Sequence, residues 1–294
     1  MTGLEADVPI ARHEGGMYEL LEELYEEYNR REYVSPDPLE FLYHYDKAAD
    51  REVVGLIASS LAYGRVTSIL SSVRKVLNVL GGSPAESLLE YAGRENSHDA
   101  MAERLGGFVH RFTACEEMAK FLYGTGKVLL SYGSLENLFM EGMSPETPPI
   151  SGVFPHRGKI LGAMEFFTRT LLDHAGLESS HLLPRPSKGS ACKRLALYIR
   201  WMARRDDVDP GGWRCVPACD IIVPLDTHMF RIAVGLGFVT RKSADGVSAL
   251  LATDGFGRLR PDDPVRYDFA LTRFGIRTGM SVEELLAKFK AVMR

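Results

Sequence analysis

A run of positive charge lies in the C-terminal half of the chain and is a first candidate for chemistry. Between residues 185 and 205 there are seven lysines and arginines and no aspartate or glutamate. Such a run can hold a polyanion, for example a nucleic-acid backbone. The alternative is a solvated, charged helix face, and charge by itself leaves both interpretations open. The basic residues are Arg185, Lys188, Lys193, Arg194, Arg200, Arg204 and Arg205.

An aspartate follows the most strand-like segment of the chain. Residues 221–223 are β-branched and apolar, and a proline comes next, which keeps the residue before it extended. Asp226 or Thr227 can then cap a helix whose apolar residues have helical spacing and which ends near Gly235–Gly237. The residue types alone therefore predict a helix N-cap at Asp226.

The segment from Pro224 to Gly237 resembles the aspartate motif of the helix-hairpin-helix DNA glycosylases, the superfamily of endonuclease III and the 8-oxoguanine glycosylases. It has the sequence PLDTHMFRIAVGLG. Those enzymes carry Pro-Val-Asp-Thr-His, then an arginine-bearing helix and a Leu-Gly step. The resemblance is sharpest over residues 189–238 and weaker over 53–65. The whole chain also resembles an uncharacterised bacterial family of unknown function. The superfamily resemblance implies two packed helical subdomains with the active site in the cleft between them.

The same superfamily presents the backbone amides of a hairpin to a DNA phosphate, typically with the sequence Gly-x-Gly-x-Lys. Residues 189–193 fit that frame with Ala191 in place of the second glycine, and alanine restricts a turn that needs positive φ, so we expect a distorted hairpin. Thirty-three residues separate Lys193 from Asp226, a long gap that resembles the archaeal 8-oxoguanine glycosylase branch. The residues to which the resemblance assigns DNA-backbone binding are Lys188, Gly189, Ser190, Ala191, Cys192 and Arg194.

The resemblance makes Lys193 the nucleophile and Asp226 its partner, with His228 at the base pocket. A lysine that attacks the anomeric carbon of a nucleoside must be partly neutral, so its pKa must fall below the ordinary value of about 10.4. Burial near other cations has that effect, and Arg194 and Arg200 are the expected neighbours. The Asp226 carboxylate would stabilise the oxocarbenium-like sugar and carry protons. A phosphate contact or solvent exposure is the alternative role for Lys193.

A wedge and a base pocket are also expected, because such an enzyme flips the damaged base out of the duplex. Residues 59–65 lie where superfamily members carry a glutamine that fills the gap, and this segment contains none. Tyr63 or Arg65 is the expected substitute, although a tyrosine equally suits a core position. Trp201 and Trp213 are candidates to stack on a purine, and core or interface packing is the favoured role for each.

A metal is not expected. Cys215 and Cys219 form a C-x3-C pair, but no cysteine follows them, so the iron–sulfur cluster of endonuclease III has no ligand set. A zinc site is not expected either, because the nearest later histidine, His228, belongs to the aspartate motif. We predict no metal and no other cofactor.

The segment 267–275 resembles the helix that packs against the active-site aspartate in many superfamily members. Its charged residues Asp268 and Arg273 either pair within the protein or contact DNA. The sequence leaves both roles open.

Helices must position these residues, since apolar residues recur at helical spacing nearly everywhere, beginning at Met17–Tyr28, and strand alternation is nearly absent. Capping patterns predict further helix starts at Ser83 with Pro84, Thr113 with Glu116, Asp263 with Pro264, and Ser281 with Glu284. Turn residues predict loops at 81–82, 143–157, 182–188 and 206–220. The sequence therefore predicts an all-α protein.

The composition narrows the class of protein. The chain has 294 residues, 45% hydrophobic and 25% charged, which excludes disordered and fibrous proteins. Four irregularly spaced cysteines do not make a disulfide framework, and the apolar runs are only a few residues long. These features predict a cytoplasmic protein without a membrane partner. We expect one glycosylase-like domain over residues 1–294, divided approximately into 1–52, 53–180 and 181–294.

Charge is unevenly distributed along the chain. The net charge is −4, but residues 1–52 hold an excess of acidic residues, so the remainder is mildly basic. The acidic segment either limits indiscriminate binding to DNA or is simply a charged outer helix.

Three hypotheses follow from the residues and the resemblance. The leading one is a DNA glycosylase with abasic-site lyase activity that removes a damaged base, with 8-oxoguanine favoured, from double-stranded DNA through a lysine Schiff base. The first alternative is a nucleic-acid-binding protein of the same fold without catalysis, indicated by the imperfect hairpin and the missing glutamine. The second is a helical protein-interaction protein whose acidic residues 19–27 bind a basic partner.

Overall fold

The structure is a computed structural model and describes residues 12–94, 97–149 and 154–293. Helices dominate these residues, which confirms the all-α prediction; one small antiparallel hairpin of two strands, β1 (Val109–His110) and β2 (Thr113–Ala114), is present as well. The helices are α1 (Arg12–Tyr28), α2 (Ala48–Ser60), α3 (Val66–Leu80), α4 (Pro84–Ala92), α5 (Ser97–Leu105), α6 (Cys115–Tyr132), α7 (Leu135–Gly142), α8 (Gly158–Ala175), α9 (Lys193–Ala203), α10 (Thr227–Gly235), α11 (Gly246–Leu259), α12 (Asp268–Ile276) and α13 (Val282–Val292).

Two of the predicted helix starts are confirmed. Helix α13 follows Ser281, whose Oγ accepts a hydrogen bond from the Glu284 amide at 3.1 Å. Helix α4 begins directly after Ser83, but the Ser83 side chain makes no capping hydrogen bond. The Asp50 carboxylate of α2 accepts from the Ala85 amide at 2.9 Å instead, so α4 is capped from another helix.

At the two other predicted starts the predicted capping residue is wrong, because tertiary contacts use its side chain. Thr113 lies in β2, where its hydroxyl bonds the Tyr63 hydroxyl at 2.8 Å, and α6 begins two residues later. Asp263 lies in a turn and accepts a hydrogen bond from Arg204 Nε at 2.7 Å, and α12 begins five residues later.

Helix α2 is buried along nearly its whole length and lies at the centre of the fold. It packs against α9, α4 and the 3₁₀ turn Pro38–His44. Its buried Glu52 carboxylate accepts hydrogen bonds from the Leu135 and Glu136 amides at 3.0 and 3.1 Å, which caps α7. Helix α2 therefore fixes the starts of two other helices before it ends beside the candidate site.

Two further groups of helices pack together. In one, α6 contacts α4, α5, α7 and α8, and in the other, α10 contacts α11, α12 and α13. Helix α1 packs against α12 and α13. The segment boundaries near residues 52 and 180 stay a prediction.

The segment that separates Lys193 from Asp226 folds back on α9. The Gly211 amide donates to the Trp201 carbonyl at 3.0 Å, and the Trp213 amide donates to the Met202 carbonyl at 2.7 Å. Arg204 at the end of α9 forms an ion pair with Asp209 at 3.1 Å. The predicted loop at 206–220 is confirmed, because the one helical turn within these residues is the short 3₁₀ turn Ala218–Asp220.

Helix α1 carries the acidic residues 19–27 and is tied to the rest of the protein. Its Glu22 accepts hydrogen bonds from Arg266 Nη2 at 2.8 Å and from the Tyr267 hydroxyl at 2.5 Å. Residues 1–11 of the acidic segment and positions 150–153 of the predicted loop 143–157 lie outside the described residues. In the part of the chain that is described, none of the helices is both long and apolar enough to span a membrane.

Candidate functional site

A cavity of about 670 Å³ lies where six parts of the chain meet. Residues 36–38, the segment 62–69 after α2, helix α9, the segment 224–228, Ala244 and helix α12 line it. Its volume is within the range of small-molecule sites in proteins. Lys193 and Asp226, which are 33 positions apart in the chain, both line this cavity.

Lys193 is the first residue of α9 and is half-buried. Its ammonium group donates a hydrogen bond to the Ala62 carbonyl at 3.2 Å. It forms no ion pair with a described residue. The end of α2 therefore holds the lysine by a neutral backbone acceptor and leaves its charge uncompensated by a carboxylate.

Asp226 is the N-cap of α10, as its position after the proline predicts. One oxygen does all the capping, because Oδ1 accepts both the His228 amide at 2.9 Å and the Met229 amide at 2.8 Å. The other oxygen, Oδ2, has no hydrogen bond to any residue that the structure describes. Capping thus fixes the carboxylate in place and leaves Oδ2 for other contacts.

The other charged side chains of the cavity are paired within the protein. Arg200 forms an ion pair with Asp268, and Arg273 forms one with Asp37 at 3.0 Å. Asp268 and Arg273 of segment 267–275 are thus paired within the protein, which is one of the two roles that the sequence leaves open. The lining is charge-balanced rather than basic, and Arg200 is not the bare cation expected beside Lys193.

Asp268 places a second titratable carboxyl group in the cavity. Burial raises the pKa of Asp268 to about 6; the Arg200 guanidinium opposes this shift, and the charge of Asp226 adds to it. The Asp268 Oδ1 atom is buried without a hydrogen-bond partner among the described residues. The Asp226 carboxylate therefore has a buried acidic neighbour that titrates close to neutral pH.

The predicted hairpin lines a second, smaller cavity of about 310 Å³. Residues 189–194 line it, and it shares Ala62, Tyr63, Lys193 and Ala244 with the larger cavity. Lys193 therefore lies between the two. A phosphate in the small cavity and a nucleoside in the large one would both contact this residue.

The strain expected at Ala191 is instead found at the next residue. Cys192 has a left-handed backbone with φ 47°, whereas Ala191 does not have positive φ. Gly189 also has positive φ, 77°, which glycine adopts without a steric penalty. Burial raises the pKa of the Cys192 thiol to about 12, so this side chain packs as a neutral thiol.

Hydrogen bonds from two other parts of the chain hold the segment 187–189 before α9. The Glu165 carboxylate of α8 accepts hydrogen bonds from the Ser187 amide at 3.0 Å and from the Ser187 hydroxyl at 2.9 Å. The Gly246 amide donates to the Gly189 carbonyl at 2.9 Å. A 3₁₀ turn, Pro186–Lys188, precedes this segment, and helix α9 follows it.

The first turn of α9 follows this hairpin without a capping side chain. Cys192 makes no capping hydrogen bond, so the first amides of the helix have no helical or side-chain acceptor. Free amides at a helix N-terminus suit an anion. Arg194 lies on the same turn, and Lys188 is exposed and outside the residues that line either cavity.

The two expected wedge residues are placed differently. Tyr63 lines both cavities but is fixed, since its hydroxyl donates to the His110 carbonyl at 2.9 Å and Arg194 lies 4.8 Å over its ring. Arg65 is exposed at the start of α3 and does not line either cavity. Tyr63 therefore forms a wall of the site, and its bonds would have to break before it could act as a wedge.

The two tryptophans also lie in different parts of the structure. Trp201 is buried and lines the large cavity. Trp213 does not line it: the Trp213 ring is buried against Phe139 and Tyr198, and its indole nitrogen donates to Glu52 at 2.7 Å. Trp213 therefore has the core-packing role and is not a base-stacking residue of this cavity, because a buried carboxylate holds it in the core.

His228 lines the large cavity, as the aspartate motif implies. Its ring lies directly on Gly275 of α12, where a Cβ atom would come within 2.2 Å of His228 Cγ. The Nδ1 atom of His228 is buried without a hydrogen-bond partner among the described residues.

Asp37 has no role in the predictions from the sequence, and those predictions do not place Arg200 and Asp268 with it in one cavity. On α9 a usable signal existed, because Lys193, Arg200 and Trp201 recur at the spacing of one helix face. No such signal existed for Asp37, which comes from a distant 3₁₀ turn and reaches the cavity only through the tertiary fold.

Within the described ranges, no group of three or more histidine, cysteine or acidic side chains is arranged to hold a metal ion. Burial raises the pKa of the Cys215 thiol to about 12. This thiol is therefore protonated at neutral pH.

A family model described as a protein of unknown function, DUF2400, matches residues 37–277. This range contains the hairpin, the aspartate motif and nearly all of the residues that line the two cavities. Comparison with curated proteins and with solved structures finds no match.

Proposed function

The chain belongs to the DUF2400 family, and we propose that it is a DNA glycosylase with abasic-site lyase activity. One observation carries the proposal: Lys193 and Asp226 line one cavity and are its two lysine, arginine or carboxylate side chains that make no ion pair with a described residue. A nucleophilic amine and an available carboxylate oxygen in the same cavity are the pair that base excision through an imine needs. The resemblance of the aspartate motif supports the same assignment.

The proposed reaction begins when Asp226 Oδ2 takes a proton from the Lys193 ammonium and the resulting amine attacks C1′ of a nucleotide flipped into the large cavity. The new C–N bond replaces the glycosidic bond, and the departing base takes up a proton. The ring then opens to an imine, and loss of a C2′ proton breaks the C3′–O bond and releases the 3′ phosphate. Asp226 Oδ2 stabilises the positive sugar and transfers protons between the amine and the sugar.

The proposed substrate class is a damaged purine in double-stranded DNA, with 8-oxoguanine as the first lesion to test. Flipped bases are held between flat and apolar side chains, and Tyr63, Trp201 and Phe269 line the cavity. The small cavity would take a backbone phosphate against the first amides of α9. In this proposal the large cavity is the cleft between two helical subdomains, which is supported by its lining from segment 62–69 on one side and from α9 and α12 on the other.

Borohydride trapping tests the nucleophile. We expect the protein to form a covalent adduct with duplexes that carry 8-oxoguanine or an abasic site, because borohydride reduces the imine. Lys193→Gln should abolish the adduct, while Lys290→Gln, which removes an exposed lysine of α13, should keep it. Duplex binding without any adduct would favour the non-catalytic alternative, and no duplex binding even at low salt would favour the protein-interaction alternative.

Two substitutions separate the capping role of Asp226 from its proposed chemistry. Asparagine is as good an N-cap as aspartate, so Asp226→Asn should keep the free energy of unfolding within about 0.5 kcal/mol while excision falls at least about 100-fold. Asp226→Ala should lose excision and also about 1 kcal/mol of stability. Full excision by Asp226→Asn would leave Asp226 as a cap alone.

A further inference from the structure

The turn of the β1–β2 hairpin exposes an aromatic ring and an arginine. His110 pairs with Thr113, so Arg111 and Phe112 are the two residues of the turn. Phe112 is 67% exposed and Val109 is 68% exposed, the highest values among the large hydrophobic side chains of the described residues. Exposed side chains of this size at the tip of a hairpin are a candidate contact for a partner.

The base of this hairpin is fixed to a wall of the cavity. His110 Nε2 donates to the Tyr63 carbonyl at 3.0 Å, and His110 Nδ1 accepts from the Ser72 hydroxyl at 2.9 Å. The Tyr63 hydroxyl donates back to the His110 carbonyl at 2.9 Å, and Thr113 is buried. Because Tyr63 lines both cavities, the turn is held at a fixed place next to them.

The surroundings of the exposed ring are aromatic and positively charged. The Phe112 ring lies 5.3 Å from the His181 ring at an interplanar angle of 31°, and the Arg111 guanidinium lies 5.5 Å from the Phe112 centroid. Arg111 also lies against Gly64, next to the exposed Arg65. Neither arginine forms an ion pair with a described residue. Aromatic rings among unpaired arginines suit stacked bases and phosphates.

We propose that Phe112 stacks on a nucleobase of the bound duplex next to the flipped nucleotide, while Arg111 and Arg65 contact the neighbouring phosphates. This inference rests on the proposed function, because it requires the same duplex. In this proposal Phe112 fills the gap that the flipped base leaves in the duplex, the role that the missing glutamine has in the superfamily. The fixed Tyr63 provides the support for the hairpin and is not itself the stacking residue.

A tryptophan at the turn reports stacking directly. Both natural tryptophans are buried, so the exposed indole of Phe112→Trp gives a separate fluorescence signal. We expect a duplex with a tetrahydrofuran abasic analogue to quench this emission at least about 2-fold. The control is Leu130→Trp, which places an indole at a half-exposed position of α6, 15 residues and about 22 Å along the helix from its start. Its emission should not change.

The loss of the ring tests its contribution to binding. Phe112→Ala should weaken binding of the abasic-analogue duplex about 10-fold or more, whereas Leu130→Ala should stay within about 2-fold of the natural chain. Unchanged binding by Phe112→Ala and an unquenched Phe112→Trp, together with a borohydride adduct, would overturn this inference and leave the proposed function standing. Quenching without any adduct would support the stacking contact and overturn the excision activity. Failure of the natural chain to bind duplexes would overturn both.

Discussion

At the level of single residues, a glycine decides where a histidine of the cavity lies. Gly275 of α12 is in contact with the His228 ring, and the space for a Cβ atom there is already occupied. His228 follows the capping Asp226 by two positions, so the close approach of α12 also limits where the aspartate helix α10 can sit. A backbone position thus controls the geometry of the cavity.

Gly275→Ala should destabilise the protein and displace His228. The added methyl would lie 2.2 Å from His228 Cγ, and overpacking of this kind costs about 1–3 kcal/mol in the free energy of unfolding. Gly257→Ala is the matched control, because a Cβ there meets atoms no closer than 3.6 Å and alanine favours the helix α11. Denaturant unfolding of both variants measures the difference. Equal stability of the two would show that α12 moves to accommodate the methyl group.

At the level of helices, α2 organises its neighbours through two carboxylates. Asp50 caps α4 and Glu52 caps α7, and both side chains are buried. The segment directly after α2 supplies the Ala62 carbonyl that holds Lys193. The position of the candidate nucleophile therefore depends on how α2 packs among α4, α7 and α9.

Asp50→Ala should destabilise the protein more than Ser83→Ala does. Removal of the Asp50 carboxylate leaves the buried Ala85 amide without its acceptor, which costs about 1–3 kcal/mol. Ser83 has the sequence position of the cap but makes no capping bond, so its replacement should change the free energy of unfolding by less than about 0.5 kcal/mol. Thermal unfolding of the two variants compares them. The reverse order would mean that the Ser83 hydroxyl is the real cap.

At the level of the whole molecule, many of the basic residues form ion pairs with acidic residues of the same chain. In the basic run, Arg185 pairs with Glu165, Arg200 with Asp209 and Asp268, and Arg204 with three aspartates. Lys193 and Arg194 are the members of the run that line a cavity without an ion pair to a described residue. The positive charge of the run that faces a cavity without an ion-pair partner among the described residues is therefore at the start of α9.

The pH dependence of stability should reveal the buried carboxyl group of Asp268. Burial raises its pKa from 3.8 to about 6, so the folded chain holds this proton more tightly than the unfolded chain. Protonated Asp268 therefore contributes to the free energy of unfolding fully below about pH 4, and this contribution is lost as the pH rises through about 6. It amounts to no more than about 3 kcal/mol. We expect the stability difference between the natural chain and Asp268→Asn to shrink by this amount between pH 4 and pH 7.

The control for this titration is Asp262→Asn, whose aspartate is exposed in a turn. Its unfolding free energy should follow the natural pH profile. A parallel profile for Asp268→Asn would mean that the Arg200 guanidinium keeps Asp268 ionised throughout the pH range.

Local features could be predicted because the residues that make them are neighbours in the chain. Helical spacing gave the helices, the proline and aspartate gave the start of α10, and Ser281 gave the start of α13. Capping failed at Thr113 and Asp263, where partners from distant segments bind the side chains. A capping pattern includes only residues a few positions apart in the chain, so it cannot show a partner from a distant segment.

The sequence by itself determined the helical class, the cap at Asp226 and the candidate pair of Lys193 and Asp226. The tertiary structure alone decided that this pair lines one cavity, that Trp213 belongs to the core, and that the exposed turn carrying Phe112 lies beside the site. The physical reason is that helix formation and capping depend on contacts within a few residues. Burial, ion pairing and cavity shape depend instead on segments that meet only when the whole chain has folded.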